Sequence, residues 1–313
     1  MRFLVALVAL FCVVSAHAEE MSLNDALRAT YIACVGIDDE LADLKKMAGI
    51  NTAITGVGTA AAGGATVVGI VKANKDAKAS KLEITLDKLR EIESKNPQPN
   101  PSDEDLMAFE QEFKDSYAKA VKEIEEYEAE LNKLNKQSKS LGNWRTGLMA
   151  GSSVTNVAGA IIAAKNGADG SIQDTINECR RAVEVLNNSI GQARMNGQDV
   201  TEANDIVNAC RDYDTVNISA IEKRAKGAMV SSIVGATTGV AGTVTSVMAN
   251  SDNVRDDNSD AGKQKEKNLN TASNVLAGTT AAASATATVF NATQISAIKK
   301  VASVAEKCTG VLK

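Results

Sequence analysis

The sequence predicts an all-α protein made of two long antiparallel helical hairpins, related by an internal repeat, with a coiled-coil extension in the first. Three observations carry this. All three prolines (Pro97, Pro99, Pro101) fall in one short segment, and no strand-like alternation of apolar and polar residues interrupts the remainder. A charged arm carries a sustained seven-residue repeat. The residues from Ala33 to Asp76 also align without gaps on Ala209 to Asp252 at a constant offset of 176, with eleven identities.

Taken in order, residues 1–18 read as a secretory signal. Arg2 is a short basic start, Phe3 to Val14 is almost unbroken apolar sequence, and Ala16-His17-Ala18 is an A-x-A cleavage site before Glu19. The apolar core is too short for an ordinary membrane span, which argues against an uncleaved anchor. Phe11 before Cys12 does not fit a lipoprotein cleavage box. Export is therefore expected, to a periplasm, a cell envelope or the extracellular space.

Residues 19–195 form the first predicted hairpin unit, with its coiled-coil arm over 72–145. Leu106, Phe113, Ala120, Tyr127, Leu134 and Leu141 recur every seven residues, and Tyr117, Ile124 and Leu131 follow at the second seam position. Leu82, Leu86, Leu89 and Ile92 give a shorter stripe before the prolines, so the turn is expected at Pro97 to Ser102. Glu and Lys fill the other positions as a solvated face. A second break is expected at Asn166-Gly167-Ala168-Asp169-Gly170.

Residues 196–313 form the second unit, turning at Asp256-Asp257-Asn258-Ser259-Asp260. Cys210 lies 49 residues before Ser259 and Cys308 lies 49 after it. Equal distance from the turn of an antiparallel hairpin places two residues side by side, so a Cys210–Cys308 disulfide is expected. Cys34 and Cys179 are the equivalent pair of the first unit, although its return arm is about 15 residues too long when measured from the prolines. Four cysteines allow three pairings, and an oxidising compartment favours pairing.

Four stretches carry no charge: Met47 to Val71, Thr146 to Ala164, Gly227 to Ser251 and Asn268 to Ile298, at 19 to 31 residues each. Within them small residues recur every fourth position. Gly147, Gly151, Thr155 and Gly159 make one row, and Ser231, Gly235, Gly239 and Thr243 another. Gly56, Ala60 and Gly64 make a third, and Gly278, Ala282 and Thr286 a weaker fourth. On a helix such a row shares a face and lets two backbones approach closely, so Gly147, Gly151, Gly159, Gly235 and Gly239 are expected at helix contacts. The rows resemble the glycine zippers of some bacterial envelope proteins and pore-forming helical proteins. The resemblance is confined to these stretches.

Two functional readings stay open at this point. In one, the charge-free helices span or lie in a bilayer, which would leave all four cysteines on one side. In the other, they pack tightly in a soluble scaffold that self-associates or binds another envelope protein. The Ser and Thr content and the lack of aromatic belts favour the second reading; the complete exclusion of charge favours the first.

Catalysis is not expected. The only histidine, His17, leaves with the signal, so no imidazole base or triad remains. Gly56-Val57-Gly58 lacks the rest of a dinucleotide fingerprint, and the cysteines lack CxxC spacing for zinc. Asp256, Asn258 and Asp260 mimic the start of a calcium loop, but Ala261 and Lys267 stand where its glycine and glutamate belong. No cofactor, no metal and no small-molecule substrate are therefore inferred. With 34 Lys and Arg against 39 Asp and Glu, a nucleic-acid partner has no electrostatic support, and no polybasic run exists to hold an anionic membrane surface.

Overall fold

In a computed structural model of the chain, residues 21–95, 106–166, 171–255, 257 and 259–312 are described. The signal segment, the proline turn at Pro97 to Ser102 and most of the Asn166–Gly170 break lie outside these residues. So do the side chains of Leu89, Ile92, Leu106, Phe113, Tyr117, Ala120 and Ile124, on which most of the seven-residue repeat rests.

The described residues are almost all helical, with no strand among them. Helix α1 (Leu23–Cys34) is followed by the long α2 (Ile37–Lys95) and α3 (Leu106–Lys165), then α4 (Ser171–Met195) and α5 (Thr201–Cys210). A 3-10 turn (Arg211–Asp214) leads to α6 (Ser219–Ala249), the short α7 (Asp252–Arg255) and α8 (Asp260–Leu312). The second hairpin reverses between α6 and α8, where Ser273 donates to the Gly242 carbonyl and Thr280 meets Thr238; of the acidic cluster expected at the turn, Asp256 and Asn258 lie outside the described residues.

The boundaries have local causes. Ser22 caps α1 by accepting the Asp25 backbone N–H at 3.3 Å. Gly36, at φ +93°, separates α1 from α2. Gly197, at φ +70°, ends α4: the Gln198 N–H reaches the Ala193 carbonyl and the Gly197 N–H that of Arg194, which is a Schellman closure. These breaks divide what the sequence suggests as continuous arms.

By contact, the described residues divide into a unit drawn from 21–55, 158–232 and 286–312 and a unit drawn from 56–157 and 233–285. The repeat boundary at 195/196 is a division of the sequence. A helical residue touches its lateral neighbours whichever repeat they come from, so each compact unit takes segments from both sides of that boundary.

The first unit holds a conventional apolar core: Ile37, Leu41, Ile172, Ile176, Leu186, Ile206, Ile221, Ile298 and Val301 are almost wholly buried, with Tyr213 among them. The second has a much smaller apolar cluster, Ala65, Met149 and Ala277 with Leu148 packed on it.

Candidate functional site

The two cysteine pairs sit in the first unit. Cys34 and Cys179 bridge α1 to α4 with Cα atoms 4.8 Å apart, and Cys210 and Cys308 bridge α5 to α8 at 4.5 Å. This is the pairing that hairpin symmetry predicts, and it holds for the first pair even though the arms of that hairpin are unequal. The sulfurs of Cys34, Cys179 and Cys308 lie within 4.8 Å of one another, so the two bridges are neighbours in one buried cluster. Such pairing fits an oxidising compartment.

Tyr213 packs in the same core. Burial pushes its phenol well above the ordinary tyrosine range, and the nearby Asp38 carboxylate adds to the shift. Its hydroxyl is buried without a hydrogen-bond partner among the described residues.

The charge-free stretches follow a different rule. Along α2 the buried positions are Asn51, Thr55, Gly58, Ala62, Ala65, Gly69 and Lys72, alternating steps of four and three. In α8 Ser273, Ala277, Thr280, Ser284, Ala287, Asn291, Gln294 and Ile298 follow the same alternation, with Ala297 buried beside the last of them. This spacing keeps one face inward along a helix, but here that face is small and polar.

Within the first unit, the Asn51 amide donates to the Asn291 carboxamide oxygen at 3.0 Å, Thr288 to Thr55 at 3.0 Å, and Gln294 to the Asn166 carbonyl at 2.8 Å. Within the second, Ser152 donates to the Gly58 carbonyl at 2.9 Å. Asn156 and Ser284 exchange hydrogen bonds at 2.8 and 3.0 Å.

The second unit also buries charge beside the charge-free stretches. Lys72, only 1 % exposed, is held by Asp76 at 2.6 Å and Glu266 at 3.5 Å. Arg145, equally buried, donates to Ser246, Asn274 and Asn270 at 2.9–3.2 Å. Each cation is thus supplied with acceptors, the condition for keeping it away from water.

The outward side of α2, α3 and α6 is largely apolar, whereas that of α8 is mixed, with Thr271, Thr279, Thr286 and Thr293 exposed beside its valines. Val57, Val67 and Ile70 of α2, Val154, Val157 and Ile161 of α3, Val230, Ile233, Val240, Val244 and Val247 of α6, and Val275 and Val289 of α8 are all exposed. Val154 reaches 69 % and Val275 63 %. Three helical segments among the described residues are long and apolar enough to cross a membrane: Leu23–Asp87, Glu125–Lys165 and Ser219–Ala249.

Of the glycines expected at contacts, three are there. A β-carbon on Gly235 would lie 2.8 Å from the Asn156 carboxamide, one on Gly159 2.8 Å from Thr55 Cγ2, and one on Gly239 would collide with Ser153 Oγ. Gly147 and Gly151 are not: both are exposed with nothing within 4 Å. At 3.6 residues per turn, each four-residue step advances about 40° around the helix. The row from Gly147 to Gly159 therefore turns from the surface into the interior. Gly58, Gly69 and Gly242, outside the predicted contact set, are close-contact positions too. They were discoverable as small residues spaced alternately by three and four.

No family profile, no curated protein and no solved structure matches the chain.

Proposed function

We propose that the protein is a non-enzymatic, exported envelope component that embeds its charge-free helices in a membrane, with the doubly bridged region in the oxidising compartment. The observation that supports this best is the inverted polarity of the charge-free stretches. Asn, Ser, Thr, Gly and Ala fill their buried seam, while Val and Ile point outward on α2, α3 and α6. In water this arrangement forgoes the transfer energy of about 25 cal/mol per Å² of apolar surface buried, and soluble monomers rarely expose large contiguous apolar patches. In hydrocarbon it is the favourable arrangement, because lipid accepts the valines while neighbouring helices satisfy the hydroxyls and amides. Close approach at Gly159, Gly235 and Gly239 then works as the glycine-zipper resemblance implies. The charge-free stretches are long enough, at 19 to 31 residues against the roughly 20 that a span requires.

Carbonate extraction of membranes from the exporting cell tests this. The protein is expected to stay in the pellet and to leave with detergent. Replacing the outward Val154, Val240 and Val275 together by Lys should shift it to the supernatant with its helicity intact. Recovery of unsubstituted protein as a soluble, monodisperse species without detergent would overturn the proposal. A defined oligomer in that preparation would favour the second reading, in which the valines form an interface for self-association or for another envelope protein.

A further inference from the structure

We infer that the first unit carries a basic collar that binds the phosphate headgroups of anionic phospholipid, with one headgroup site in the groove between the start of α6 and α8. The inference rests on the membrane reading above and adds a lipid class and a site to it. Each of the four long helices contributes cations next to its charge-free stretch: Lys45 and Lys46 from α2, Lys165 from α3, Lys223, Arg224 and Lys226 from α6, and Lys299 and Lys300 from α8.

These residues stand at one level of the fold. Asn51 meets Asn291 at 3.0 Å, and Gly159 closes on Thr55 and Ser232, so these five define a layer shared by the four helices. From it α2 and α6 run back toward their N-termini, while α3 and α8 run on toward their C-termini. At 1.5 Å per residue the eight cations fall about 8–14 Å beyond that layer, all on the same side. The Arg224 contact with the Thr293 carbonyl at 2.7 Å and the Gln294 contact with the Asn166 carbonyl at 2.8 Å fix the same register independently.

Acidic groups at this level are few. Among the described residues of these four helix segments they are Asp43 and Glu222, and Glu222 is already paired with Lys226. A surplus of cations therefore lies where a charge-free, valine-faced surface begins. In a membrane protein that boundary is where phosphate headgroups lie, and each Lys or Arg near an anionic surface strengthens binding about fivefold, from about 1 kcal/mol apiece.

The groove gives the collar a specific site. It has a volume of about 370 Å³ and is lined by Arg224 and Lys300 together with Val216, Ala220, Ala297 and Val301. Arg224 spends one guanidinium nitrogen on Thr293, which fixes the group and leaves its other N–H donors for a phosphate. Ser296 also lines the groove and adds a hydroxyl that can donate to a phosphate oxygen.

The experiment is vesicle partitioning of the full-length, doubly bridged protein. Vesicles of phosphatidylcholine alone are compared with vesicles containing one third phosphatidylglycerol, at low and high salt. Tighter binding to the anionic vesicles is expected, with the excess falling as salt rises. The variant K45Q/K46Q/K299Q/K300Q should lose that excess by nearly three orders of magnitude, about 600-fold, while binding phosphatidylcholine as before. R224Q alone should lower the anionic preference, and free glycerol phosphate should not compete. Equal binding to both vesicle types, or an anionic preference unchanged in the quadruple variant, would overturn the collar and leave the membrane reading standing. Binding to neither vesicle would overturn both. Circular dichroism and intact bridges in each variant exclude misfolding as the cause of a loss.

Discussion

At the scale of single residues, Tyr213 shows how burial becomes a pH dependence. Its phenol is held un-ionised by burial and by Asp38, so its acidity in the fold is weaker than in the unfolded chain. The raised value means that the stability tied to this group is complete below about pH 10, the ordinary phenol range, and declines as pH rises beyond it. Tyr213→Phe should flatten that alkaline decline in urea unfolding followed by circular dichroism. At neutral pH the variant should be as stable as the parent or up to about 1 kcal/mol more so, because the hydroxyl it removes has no partner. A variant markedly weaker at pH 7 would mean that the hydroxyl is bonded. The cysteines are the residues most legible in the sequence, since two equal distances about Ser259 already pair Cys210 with Cys308. Tyr213 is among the least legible, because a sequence does not show which tyrosine loses its water.

At the scale of elements, the charge-free helices separate two kinds of glycine that the sequence presents as one. Gly235 faces the Asn156 carboxamide, so Gly235→Leu must displace a buried, hydrogen-bonded side chain and should cost about 1–3 kcal/mol. Gly151 faces open space, so Gly151→Leu should be neutral or stabilising by up to about 1 kcal/mol, as a better helix former replaces a poor one. Thermal unfolding of the two variants in the same detergent checks the contrast, and equal losses would show that both glycines lie at contacts. The four-residue rows single out the right kind of residue but only part of the right face. A helix packed along its whole length keeps its seam inward by alternating steps of three and four, whereas a constant step of four walks around it. The seam of α2 and α8 escapes a search for apolar heptads for another reason. It is written in Asn, Ser, Thr, Gly and Ala, and in α2 the apolar residues that such a search seeks lie on the opposite face.

At the scale of the whole molecule, the disulfides tie together helices that are far apart in the chain. Their sequence separations are 145 and 98, and closing loops of that size is worth about 5 kcal/mol each in the chain-entropy model. Cys210→Ser with Cys308→Ser, or mild reduction, should therefore lower the unfolding midpoint substantially. Non-reducing peptide mapping of native protein should return both pairs, and a Cys34–Cys210 peptide would contradict the fold. The helical class, the second hairpin turn, the Cys210–Cys308 pairing and the extent of the charge-free stretches were legible in the sequence itself, because each depends on spacing along one chain. Tertiary structure alone decided which face of each charge-free helix turns inward, which glycines meet a neighbour, and that lysines dispersed over four helices share one level. Those properties belong to the register between helices, and register is set by side chains that are distant in sequence and meet only when the chain has folded.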